Sequence, residues 1–271
     1  MRQLRHSSLT CFVLLLLLLS GANVLAGGLI DTSAERFLQA QFTSAGSITN
    51  PWWTLTQGDN FLYLAQAGED CEWNLTEVMG TTANGFLGAY AGISARIVLD
   101  RSWVDEGCVH GDNFQAFIAT NPPPEEVTYD WYAQDDDKNI WYMGEDTFDG
   151  VDKSGSFVAG CDGAQAGIVI LGDPSKGDFY SQEFYEEEAE DWGKVLNFKK
   201  MEGLVCMKTK EWTPLERGAI EQKWYCSDGE VGELVLIKER HGKTVTVNLV
   251  ATNIVPPAVG VLPISSTPSC P

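Results

Sequence analysis

The sequence predicts a mainly β protein, a single curved antiparallel sheet or partly closed β-barrel with one or two short helices. Three observations carry that expectation. Aromatic and β-branched runs alternate with polar residues at period two. Glycine, proline and asparagine break these runs at short intervals. Helical periodicity is confined to a few residues.

The elements follow in order. Arg2, Arg5 and His6 precede the apolar run Cys11 to Leu19, and small residues stand at Val24 and Ala26, so residues 1–26 read as a secretory signal peptide. The run is too short and wrongly flanked for a membrane span, and the protein is expected to be secreted and soluble. Residues 27–50 form an N-terminal segment in which Ser33 to Leu38 reads as a short helix capped by Thr32 or Ser33. Residues 51–250 form the β-rich domain. Strands are expected at Asn60 to Ala65, Ile93 to Leu99 and Phe114 to Ala119, with hairpins at Thr128 to Asp146 and Gly203 to Cys226. Val231 to Arg240 and Lys243 to Val250 complete the set. Residues 251–271, rich in proline and serine, read as an extended tail pinned near Cys270.

Removing Arg2 and Arg5 with the signal leaves 16 basic against 38 acidic side chains, a formal charge of about −22. Such a chain repels phosphate backbones, and nucleic acid is excluded as a partner. Six cysteines remain: Cys71, Cys108, Cys161, Cys206, Cys226 and Cys270. An even number in a secreted chain predicts disulfides. If Trp212 lies opposite Ile220, Cys206 lies opposite Cys226 and the two pair; the other four stay unassigned.

The Trp-Tyr pairs Trp131-Tyr132, Trp141-Tyr142 and Trp224-Tyr225 each put one ring on either side of a strand. One side enters a core, and the other packs under a second layer or lines a groove. Trp131, Tyr132, Trp141, Tyr142, Trp212 and Trp224 are therefore the candidate ligand-binding aromatics. Asp135, Asp137 and Asn139 alternate as in the first half of a calcium loop, which makes calcium the only cofactor the sequence offers. Ile140 stands where that loop needs glycine, so a solvated hairpin turn is the competing reading. Asn74-Leu75-Thr76 is a glycosylation acceptor triplet.

Asp130 to Asp135, Asn139 to Asp146, Asp162 to Ile168, Gly177 to Glu183 and Lys210 to Glu216 resemble the signature segments of a largely uncharacterised family of secreted bacterial β-rich proteins. The likeness spans Pro51 to Glu239 and departs at Lys138, where glycine is expected, and in the added cysteines. It implies a single β-rich domain and carries no established activity.

Two function classes stay open beside a structural one. The first is a non-catalytic extracellular module binding a hydrophobic ligand, glycan or protein partner. The second is a hydrolase or lyase acting on extracellular polysaccharide through Glu183, Asp191 or Glu211, since glycoside cleavage needs two carboxylates at a set separation. The third is a calcium-supported matrix protein. His110, near Asp105 and Asp112, has no serine elbow to serve and reads as a loop histidine. A convergent acidic pair inside an aromatic cleft would favour the enzyme, and an apolar pocket without buried charge the binder.

Overall fold

Consecutive strands pair with their neighbours in an up-and-down order that almost closes on itself. The computed structural model describes residues 33–148, 156–201, 203–227, 232–241, 243–258 and 267–270. Residues 1–32, with the segment expected to be a signal peptide, and part of the tail lie outside the described residues. Helix α1 (Ser33–Gln39) leads to a separate ribbon of β1 (Ile48–Thr49) and β2 (Thr54–Leu55). A first meander comprises β3 (Asn60–Ala67), β4 (Asp70–Ala83), β5 (Ala95–Asp105), β6 (Glu126–Gln134), β7 (Ile140–Phe148), β8 (Phe157–Val158) and β9 (Gln165–Ile170), with helix α2 (Phe114–Ile118) between β5 and β6. The short β8 pairs on β7. After β10 (Phe179–Ser181) and β11 (Glu183–Phe184), a second meander runs through β12 (Trp192–Met201), β13 (Leu204–Trp212), β14 (Ile220–Ser227), β15 (Gly232–His241) and β16 (Lys243–Thr252).

Two junctions bend the meanders into a barrel-like sheet. Strand β16 pairs antiparallel with β3. On the other side, residues 179–184 change partners in mid-stretch: β10 pairs with β12, and β11 with β9. Gly167 permits this approach, because a Cβ there would lie 2.4 Å from the Ser181 carbonyl oxygen. Gly144 serves the bulge between β6 and β7. Its φ of +133° and a carbonyl 2.2 Å from any added Cβ admit no side chain.

The expected strands lie in place, with one correction. Phe114 to Ala119 is not a strand but contains helix α2. Asn113 caps it by accepting a hydrogen bond from the Ala116 N–H at 3.1 Å, and Phe114, Phe117 and Ile118 supply an apolar face at helical spacing. That face covers Trp73 and Trp103 on the outside of β4 and β5.

Much of the core therefore lies outside the barrel wall. Phe37 and Phe42 of the N-terminal segment pack on Trp141, and Phe86 packs on Trp131. Three disulfides close the structure: Cys71–Cys108, Cys161–Cys270 and Cys206–Cys226. The β13–β14 register sets Trp212 opposite Ile220 and Cys206 opposite Cys226, as the sequence requires for that bridge. Cys270 ties the tail to Cys161, while the Arg101 guanidinium donates to the Pro257 carbonyl at 3.0 Å.

Candidate functional site

Alternation along the strands sends one set of residues inward. From β5 these are Val98, Asp100 and Ser102; from β6, Asp130 and Tyr132; from β14, Lys223 and Tyr225. With Trp53, Tyr63, Glu72, Asn74, Glu211 and Glu239 they line a cavity of about 360 Å³. Trp53 reaches it from the turn between β1 and β2 and sits 5.1 Å from Tyr132 and 6.3 Å from Tyr225, centroid to centroid. Glu72 is exposed and Glu239 half-buried, so the cavity meets solvent at their end.

The interior carries far more acid than base. Lys223 Nζ lies 2.9 Å from both Glu211 Oε2 and Glu221 Oε2. Burial opposes its charge, but these carboxylates outweigh burial and raise its pKa well above the usual lysine value. Lys223 in turn holds Glu221 below the ordinary glutamate range. Among the described residues the remaining inward carboxyls have no lysine or arginine within ion-pair distance. Burial raises Asp100 to about 6 against the hydrogen bonds it accepts from Asn74 and Thr76. Burial likewise raises Asp130, Glu145, Glu183, Asp191 and Glu239.

The densest point lies between β6 and β7. Tyr142 Oη is 2.5 Å from Asp130 Oδ1 and 2.6 Å from Glu145 Oε2. A phenol has one proton to donate, so both contacts are hydrogen bonds only when one carboxyl is also protonated. The Tyr132 ring stacks on Tyr142 at 5.0 Å.

The structure divides the six candidate aromatics. Tyr132 lines the cavity, and Tyr142 faces the same interior through its hydroxyl. Trp131, Trp141 and Trp224 are corrected to packing residues: they lie on the outer face of the wall and are at most 3 % exposed. Trp212 is half-buried on the outer face beside Phe179. The cavity aromatics missed in the sequence are Trp53, Tyr63 and Tyr225.

Glu183, Asp191 and Glu211 do face inward: after burial, Asp191 is the strongest influence raising Glu183, and Glu211 holds Lys223. The glutamates between the first two form an exposed turn in which the Glu187 N–H donates to Glu190 Oε1 at 2.9 Å. Of the calcium candidates Asp135, Asp137 and Asn139, the first already serves the turn. Asp135 accepts from the Asn139 N–H, the Asn139 side-chain amide and the Trp141 indole, each at 2.8 Å, which leaves its carboxylate committed to the turn. Among the described residues no three acidic, histidine or cysteine side chains converge as metal ligands.

The glycosylation reading meets a similar obstacle. Asn74 Nδ2 donates to Asp100 Oδ1 and Thr76 Oγ1 donates to Asp100 Oδ2, so the triplet is a clamp on a cavity carboxyl. A glycan on Asn74 would have to fill the cavity. His110 latches its loop through Asp105, Nδ1 to Oδ1 at 3.1 Å. No family model, curated protein or solved structure matches this chain.

Proposed function

We propose that this protein is a secreted, non-catalytic barrel that binds a small organic cation with an apolar or aromatic body. The carrying observation is the cavity itself: Trp53, Tyr63, Tyr132 and Tyr225 among five carboxyl groups, Glu72, Asp100, Asp130, Glu211 and Glu239, against the single ammonium of Lys223. Ring faces and carboxylates both attract a desolvated cation. Since Lys223 is matched by Glu211 and Glu221, the carboxyls left to meet a ligand's charge are Asp100, Asp130, Glu72 and Glu239, and a bound cation favours their ionised forms. A volume of about 360 Å³ is near the lower end of small-molecule sites, which span roughly 300–1,000 Å³, and suits one small molecule better than a polymer or protein segment. Three disulfides support a place outside the cytosol. The likeness of the hairpin segments supports grouping the chain with the secreted bacterial family.

A hydrolase reading starts from Glu183, Asp191 or Glu211, but the acidic pair joined through one aromatic side chain is Asp130 and Glu145. Tyr142 fills the space between them, where the reacting bond of a sugar would have to lie.

Titrating an arylalkylamine and its neutral alcohol analogue against the intact protein at pH 8 tests the proposal through fluorescence. Saturable binding of the amine, with the alcohol at least tenfold weaker, is the expected result. Asp100→Asn and Asp130→Asn should each weaken the amine about 10-fold, or about 1.4 kcal/mol. Trp53→Phe should remove most of the fluorescence response. Equal binding of amine and alcohol contradicts the cation assignment, and turnover of a ligand contradicts the non-catalytic one.

A further inference from the structure

The protein is strongly acidic, yet one outer face is basic. In strands β12 to β15 the acidic side chains Glu211, Glu221 and Glu239 belong to the interior, and the side chain of Glu233 lies outside the described residues. Lys194, Lys199, Lys208, Lys210 and Lys238 take the outer side. Register places Lys194 directly opposite Lys210, Lys199 opposite Cys206 and Lys208 opposite Trp224. The ammonium groups of Lys208, Lys199 and Lys238 lie 4.6, 5.3 and 5.8 Å from the Trp224 ring centroid. Among the described residues none of these five lysines has a carboxylate partner within ion-pair distance.

Like charges set against one another repel, a cost that the contacts of Lys199, Lys208 and Lys238 with the Trp224 ring offset only in part. It creates a positive stripe on a negative molecule. Along β13 the outward residues Cys206, Lys208, Lys210 and Trp212 follow one another about every 7 Å. At the far end Phe179 stacks on Trp192 at 4.8 Å and on Trp212 at 5.7 Å, all three half-buried. Lys210 Nζ stands 4.6 Å from the Trp212 ring.

We infer that this face binds a linear acidic polysaccharide, sulfated or carboxylated, laid across β12 to β15. Regularly spaced ammonium groups match a polymer with charges along its length, and half-exposed aromatic rings suit the apolar faces of sugar rings. An anionic membrane fits less well, because Trp224 is buried beneath the lysines rather than projecting beyond them. The site is on the outside of the wall and is independent of the cavity.

The test is retention of the intact, disulfide-bonded protein on an immobilised sulfated polysaccharide at low salt, with elution by a salt gradient. Near-ultraviolet circular dichroism checks that each variant is folded. The wild-type protein should be retained, and the triple variant K199Q/K208Q/K238Q should lose at least tenfold in affinity. Lys138→Gln, which removes the same charge from the β6–β7 turn, should elute with wild type. Lys238→Gln alone, at an exposed position, should elute earlier than wild type. Absence of retention overturns the inference. So does an equal loss with Lys138→Gln, or tighter binding to anionic phospholipid vesicles than to the polysaccharide.

Discussion

In each Trp-Tyr pair the tyrosine belongs to the inner side of the wall and the tryptophan to the outer. Tyr142 and Tyr132 have their rings among interior carboxyls, whereas Trp131 and Trp141 are sealed under covering segments. Alternation was legible from the sequence, but the side that held the cavity was not. That depended on Phe37, Phe42 and Phe86 arriving from other parts of the chain to cover the tryptophans. Asp135 likewise looked like a metal ligand because its three donors lie in the turn it organises. Asp135→Ala leaves the Trp141 indole N–H and the Asn139 donors without their acceptor, with an expected cost of about 3 kcal/mol. Thermal denaturation checks this. The wild-type midpoint should be unchanged by calcium or by a chelator, and a calcium-dependent rise would restore the metal reading.

At the scale of elements, strands with apolar outward faces were the easiest to read. The longest strand, β4, is hard to read from the sequence although its first half, Cys71 to Leu75, alternates. Cys71, Trp73 and Leu75 pack outward, while Glu72, Asn74 and Thr76 belong to the cavity. Polar residues facing an interior look like an acidic loop with a glycan site. Helix α2 was misread because Phe114, Phe117 and Ile118 have strand-like propensities, though Asn113 and the helical spacing marked the alternative. The cavity carried the same signal as β4: Asp100, Asp130 and Lys223 each interrupt an apolar or aromatic run at period two. The disulfides differ in what they constrain. Cys161–Cys270 spans 109 residues and Cys206–Cys226 spans 20, so loop-closure entropy assigns them about 4.7 and about 3 kcal/mol. Replacing each pair by alanine should lower the unfolding midpoint in denaturant more for C161A/C270A. The reverse order would mean that local strand packing, not chain closure, sets their value.

For the whole molecule, interior charge links stability to pH. Asp100, Asp130, Glu145, Glu183, Asp191 and Glu239 all have pKa values raised by burial above their unfolded values of 3.8 or 4.5. Between roughly pH 4 and pH 7 the folded state therefore holds more protons than the unfolded chain, and stability falls as pH rises through that window. Glu221, held low by Lys223, and Asp136 and Asp105, held low by hydrogen bonds from Thr43 and His110, work in the opposite sense but are three groups against six. Asp100, at about 6, contributes about 2 kcal/mol after allowance for solvent in the cavity. Without ligand the protein should melt several degrees higher at pH 5 than at pH 8, as calorimetry would show. A bound cation supplies what ionised carboxyls lack, so its affinity should rise over the same interval.

The most direct measurement is calorimetric titration of the arylalkylamine at pH 6 in two buffers of different ionisation enthalpy, which counts the protons exchanged on binding. One saturable site with net proton release is expected, as Asp100 and its neighbours ionise around the cation. Binding without proton release, or no saturable heat at all, would contradict it.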